Sequence, residues 1–201
     1  MPAYAPHVKR MTTGSTSERG AGLDGLLSIL PGLPKESKLA IAREPGLLAA
    51  LNSFLVGDRT VTALKVLHRL GGRDDSSNVR LRQCKTTIFY SPCFPSVKGV
   101  AATGSTIALK NAAFAVIAST SGLEDERRKE FLDSPGIVDL LQDGLFNTYS
   151  YIAENASVTI SNLCIDETTA SAVLDNHPDL VQALVDTFST SGVCEKFHSK
   201  S

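Results

Sequence analysis

Apolar residues recur along this chain at helical spacing, and the helical stretches are separated by proline-containing turns. Glu44-Pro45-Gly46-Leu47-Leu48-Ala49-Ala50-Leu51 reads against Ser134-Pro135-Gly136-Ile137-Val138-Asp139-Leu140-Leu141, with the prolines 90 residues apart. A further copy, Asn176-His177-Pro178-Asp179-Leu180-Val181, follows at a shift of 43 from Ile137-Val138 to Leu180-Val181. A second element recurs independently: Asn111-Ala112-Ala113-Phe114 against Asn155-Ala156-Ser157-Val158, at a shift of 44. Two different elements sharing one period mark an internal repeat, and a period of about 40–47 residues fits units of two or three helices. Such a unit cannot cover its apolar faces alone, so units must stack.

The pattern predicts helices over 35–43, 47–56 and 60–70, over 124–132, 136–145 and 149–163, and over 167–174 and 179–188. The repeat region is expected over 23–188, between a disordered polar tail at 1–22 and a second tail at 189–201. The segment 84–105 breaks the pattern. Pro92 and Pro95 forbid a continuous helix through it, Thr86-Thr87-Ile88-Phe89-Tyr90 favours extended chain, and no Pro-Gly turn stands near residue 90. Three readings of this stretch stand open: a functional insertion, a degenerate repeat, or altered coding sequence in place of a native helix. The last, with the fourth unit lacking a third helix, describes a non-functional fragment of a longer array.

Composition sharpens the fold expectation. Hydrophobic residues make up 42% of the 201, but aromatics only 6% and Trp is absent, so the helices must pack through Leu, Ile, Val and Ala. No apolar run reaches the roughly 18 residues of a membrane span. The net charge of −1 conceals an asymmetry: 15 Lys+Arg against 7 Asp+Glu through Lys110, then 5 against 14. Such a dipole could steer a charged partner to one end. Cys84, Cys93, Cys164 and Cys194 form no C-x-x-C pair and have no histidine at metal-ligand spacing. A cytosolic or nuclear chain with reduced thiols is expected. The basic start, with Lys9, Arg10 and Arg19, also fits a mitochondrial transit segment.

Glu154-Asn155-Ala156-Ser157-Val158-Thr159-Ile160-Ser161-Asn162-Leu163 resembles the long third helix of armadillo repeats, and 131–141 resembles the helix–turn–helix before it. HEAT repeats are the near neighbour. The resemblance implies an all-α, armadillo-like solenoid of about four units, the second and fourth incomplete. It also implies a partner, a protein or extended peptide, held on the concave groove of the third helices. The Trp position of the family's peptide-binding ladder falls on Lys65, Phe114 and Val158, and the Asn position on Arg69, Ala118 and Asn162. Only Asn162 matches, which argues against recognition of import signals. Tyr151, Asn155, Val158 and Asn162 share one helical face by spacing, and with Phe114 they form the expected partner site. The alternative is that the two asparagines cap or bridge neighbouring repeats and that Tyr151 packs. Some armadillo-like proteins stimulate nucleotide dissociation from small GTPases, the second function the resemblance suggests.

No enzyme is expected. The sequence holds no G-x-S-x-G, no phosphate-binding G-x-x-x-x-G-K-S/T and no H-E-x-x-H, and it calls for no cofactor or metal. Arg127-Arg128-Lys129, directly after Glu124-Asp125-Glu126, predicts local ion pairs. The scattered cations Arg69, Arg73, Arg80, Arg82, Lys85, Lys98 and Lys110 lack the interleaved aromatics of a nucleic-acid surface, except near Phe89 and Tyr90.

Overall fold

The computed structural model describes residues 1–72 and 78–190. Among these there are thirteen α-helices and no strand. In chain order they are α1 (Ala5–Thr13), α2 (Thr16–Ile29), α3 (Lys35–Ala42), α4 (Leu47–Ser53), α5 (Thr60–Gly71), α6 (Val79–Phe89), α7 (Cys93–Thr103), α8 (Ile107–Ser121), α9 (Asp125–Leu132), α10 (Ile137–Leu145), α11 (Ser150–Leu163), α12 (Glu167–Asn176) and α13 (Pro178–Thr190).

These helices stack in rows. The longest row runs α2, α5, α8, α11, each packed on the next, and a second runs α1, α4, α7, α10, α13. Of the shorter helices, α3 packs on α6 and α9 on α12. One hydrophobic core, from Tyr4 to Ala183, threads all of them. The recurrence seen in the sequence is thus the recurrence of helices in an all-helical repeat fold.

The turn before the second-row helices explains the Pro-Gly signature. Gly46 has φ 78° and ψ −9°, and Gly136 φ 73° and ψ 6°. With Pro one place earlier, this is the third position of a type II turn. The carbonyls of Glu44 and Ser134 accept the amides of Leu47 and Ile137, each at 3.1 Å. At the last repeat Pro178 instead opens α13 as its first residue, where the missing N–H costs nothing.

The segment 84–105 is broken at Tyr90–Pro92, as the prolines require, but on either side it is helical, so the extended chain expected at 86–90 is not there. Pro92 is the N-cap of α7 and Pro95 falls in its first turn, where proline is tolerated. Pro92 is the missing copy of the turn, since prolines 45, 92, 135 and 178 follow one another at 47, 43 and 43 residues. Here Ser91 Oγ accepts the Cys93 amide (3.2 Å) in place of the glycine geometry. The strand-favouring residues of 86–90 lie in and just after α6, because Leu81, Cys84 and Ile88 form a buried stripe at i, i+3, i+7. Phe89 packs on Phe94 and Phe131 at ring separations of 5.1 and 5.5 Å. Tertiary burial overrides local propensity there.

The N-terminal segment 1–22 also differs: it is α1 and the first half of α2, not a disordered tail. Tyr4, Val8 and Met11 are buried, as are Leu23 and Leu26. Ser15 opens α2, its backbone N–H and hydroxyl both donating to Glu18 Oε2 at 2.8 and 2.7 Å. The glycines that make this stretch look like coil let the two helices touch: a β-carbon on Gly22 would stand 2.8 Å from the His7 carbonyl. Of the expected C-terminal tail, Ser189 and Thr190 continue α13, and the remainder lies outside the described residues.

Candidate functional site

The expected site falls on the long row, chiefly on α11. This helix buries Ile152, Ala156, Thr159, Ile160 and Leu163. Its opposite face leaves Tyr151 68% and Val158 38% exposed. Asn155 and Asn162, both half-buried, stand between the two faces.

Both asparagines reach the neighbouring helix of the row. Asn155 Nδ2 donates to Asn111 Oδ1 on α8 (3.4 Å) and to its own Tyr151 carbonyl (2.8 Å). Asn162 Nδ2 donates to the Ala118 carbonyl (3.3 Å) and to Ser121 Oγ (3.0 Å). The same device joins α5 to α8, where His68 Nδ1 lies 3.0 Å from the Ala115 carbonyl. Asn162 is therefore a bridge between helices, the alternative its spacing allowed. Asn155 bridges as well, and this amide pair retains one acceptor oxygen and one NH₂ group beyond its mutual bond.

Phe114 stands apart from the other four. It is 3% exposed and belongs to the core. Its ring enters a gap left by Gly144 of α10, where an added β-carbon would be 2.5 Å from Phe114 Cε1 and 3.0 Å from Ala156 Cβ. Phe114 therefore presents no surface to a partner. Of the positions matched to the family's ladder, Lys65 and Arg69 are exposed and Ala118 is buried.

The other charged groups are distributed differently from a continuous patch. Arg80 pairs with Glu36, and Lys98 Nζ donates to Ser134 Oγ (2.6 Å) and the Pro135 carbonyl (2.8 Å). Lys85 is buried. Arg73 lies outside the described residues. The predicted local pairs form: Arg127–Glu130 at 2.7 Å, Arg128–Asp125 at 2.7 Å and Lys129–Asp133 at 2.8 Å. Arg128 is itself buried and also faces Asp166 of the next unit at 3.6 Å. Burial would raise the Asp166 carboxyl, but hydrogen bonds from Thr169 and the Arg128 charge outweigh it and hold the group below the usual carboxylate range.

Burial pushes the thiols of Cys84 up to about 12 and of Cys93 up to about 11, which makes them poor nucleophiles. Cys93 Sγ donates to the Leu48 carbonyl at 3.0 Å and so ties α7 to α4. Among the described residues no group of three or more His, Cys, Asp or Glu is placed to hold a metal ion. No described helix is long and apolar enough to cross a membrane.

A surface the sequence reading missed lies where α4 meets α5, α7 meets α8 and α10 meets α11. A trough of about 470 Å³ runs between the 55–60 turn and α7, and a second hollow of about 250 Å³ lies beyond the α7–α8 turn. Its signal in the sequence was the small-residue run 99–105, which reads equally well as a loop.

No family model and no curated protein matches the chain. Among solved structures it is similar to an engineered protein determined by the Northeast Structural Genomics Consortium. The likeness has a TM-score of 0.67 at 17% identity and covers 100% of this chain and 74% of that one. At that identity the likeness concerns the fold alone, and it agrees with an all-helical architecture.

Proposed function

We propose that this chain is an armadillo-type solenoid that acts as a protein-interaction scaffold and holds an extended segment of a partner on its third helices. In this reading α2, α5, α8 and α11 are the third helices of successive units, α1, α4, α7, α10 and α13 the second, and α3, α6, α9 and α12 the first. The stacking of the second-helix and third-helix rows supports that assignment, as do the regularly spaced turn prolines.

The observation that carries the binding role is on α11. An aromatic and an aliphatic side chain, Tyr151 and Val158, remain open on a helix whose other face is fully engaged. Between them the Asn155–Asn111 pair offers a donor and an acceptor, the complement of a peptide backbone. Aromatic side chains are enriched among the anchors of protein interfaces.

The test is affinity capture with mass spectrometry on the intact chain and on a Tyr151→Ala, Asn155→Lys double variant. Asn162 is left intact because it bridges two helices. The reading predicts a specific partner that is lost by about tenfold or more in the variant, with both proteins showing the same helical circular dichroism. A partner retained equally by both would refute it.

A further inference from the structure

The edge formed by the second-to-third helix turns carries a feature that the third-helix face does not. Three successive turns, 55–60, 104–106 and 147–149, border two hollows that meet at Gly104 and Ser105. The larger is lined by Leu55, Val56, Val100 and Leu109 with the hydroxyls of Thr60 and Ser96, and no charged group borders it. The smaller holds one cation, Lys110, together with Asn147 and Tyr149. Apolar side chains are open along the same edge, with Val56 86%, Phe146 64% and Ile107 44% exposed.

The large hollow exists because α7 presents no side chain into it at Gly99. A β-carbon built there meets nothing within 4 Å, and the same holds at Gly57 across the trough. A helix-interior glycine that packs against nothing costs helix stability without any return in packing. Its return is the open space.

Lys110 makes no ion pair with a described residue. Asp143 borders the narrow 40 Å³ cleft beside it without closing one. Thr106 Oγ is occupied in accepting the Leu109 amide at 3.2 Å. Lys110, a half-buried residue, stands in the smaller hollow, which meets the uncharged trough at Gly104 and Ser105, and a cation there favours a partner that brings a carboxylate.

We infer that this edge is a second docking surface, which takes an extended acidic–apolar peptide segment of another protein. Apolar side chains of that segment fill the 470 Å³ trough, and an Asp or Glu carboxylate meets Lys110. The surface is distinct from the α11 face, so either can fail alone.

The experiment is selection of random dodecapeptides displayed on phage against the full chain, followed by fluorescence polarisation with the enriched peptides. Two variants report on the site: Lys110→Glu, and Gly99→Phe as a plug. Gly99→Ala, which leaves most of the space open, is the folding control, and thermal melts verify all three. The expected result is enrichment of sequences with Asp or Glu beside apolar residues, and about a tenfold loss of affinity in each of the two variants. Selection on Lys110→Glu then enriches Lys or Arg in place of the acid. Absence of any enrichment overturns the inference. So do enriched peptides that bind both variants normally, or peptides lost only when Tyr151 and Asn155 are changed. A chain that self-associates through this edge, with Lys110→Glu dissolving the oligomer, also overturns it by making a second copy the occupant.

Discussion

At the scale of single residues, the ring of Phe114 occupies the space that a β-carbon on Gly144 would need. Gly144→Ala is expected to cost about 1–3 kcal/mol through overpacking. Phe114→Ala is expected to cost about 3–5 kcal/mol through the cavity it leaves. The two losses should not add, because removing the ring frees the space, and a double-mutant cycle by urea denaturation reads the coupling. Phe114 and Val158 are equivalent by the 44-residue shift, yet one is core and the other surface. Nothing in the repeat pattern separates them. The glycine on another helix does. The thiols give a second expectation at this scale. Cys84 and Cys93 should resist iodoacetamide in the native protein and react fully in denaturing urea, as peptide mass spectrometry would show. Early native labelling of either would contradict their burial.

At the scale of elements, caps and special residues carry the argument. Asp166 caps α12 by accepting the Thr169 amide at 2.9 Å, and it faces the buried Arg128. Asp166→Ala should cost at least the roughly 0.5–2 kcal/mol of an N-cap at neutral pH. Because the folded carboxyl is held low, its stabilisation is fully present above the ordinary aspartate value of about 3.9 and is lost as pH falls through the lowered value. Urea melts of the two proteins should therefore differ most at neutral pH and converge in acid below about pH 4. In α7, Gly99→Ala should stabilise by about 0.5–1 kcal/mol, seen as a higher Tm, since the new methyl meets nothing. The first helices were legible in principle: Ser15-x-x-Glu18 is a capping box, and Tyr4, Val8 and Met11 keep helical spacing. Glycines at 14, 20, 22 and 25 masked it, because a glycine needed for close packing and one in coil look alike in sequence.

At the scale of the whole molecule, the two longer rows are continuous through α7 and α8, and Phe89 of α6 stacks on Phe131 of α9, so no uncovered gap separates the two halves of the described chain. Continuous nearest-neighbour stacking couples the units. Urea unfolding is expected to give one transition, coincident by far-ultraviolet circular dichroism and by hydrogen exchange at α2 and α11. Two separated transitions would mean that the central unit is a weak joint. Inter-helix ties reinforce the coupling: Asn162 to Ala118, Cys93 to Leu48, and Arg128 to Asp166.

The sequence by itself determined the helical period, the positions of most helices and the placement of Tyr151, Asn155, Val158 and Asn162 on one helix, because amphipathic spacing and turn prolines are local properties of the chain. The tertiary structure decided what those helices met. It turned 84–105 and 1–22 into helices by giving Leu81, Ile88, Tyr4 and Met11 a core to enter. It buried Phe114 against Gly144, made Asn162 a bridge, and opened the trough beside Gly99. Burial, close approach and cavities depend on residues tens of positions apart, so they arise only when the helices stack.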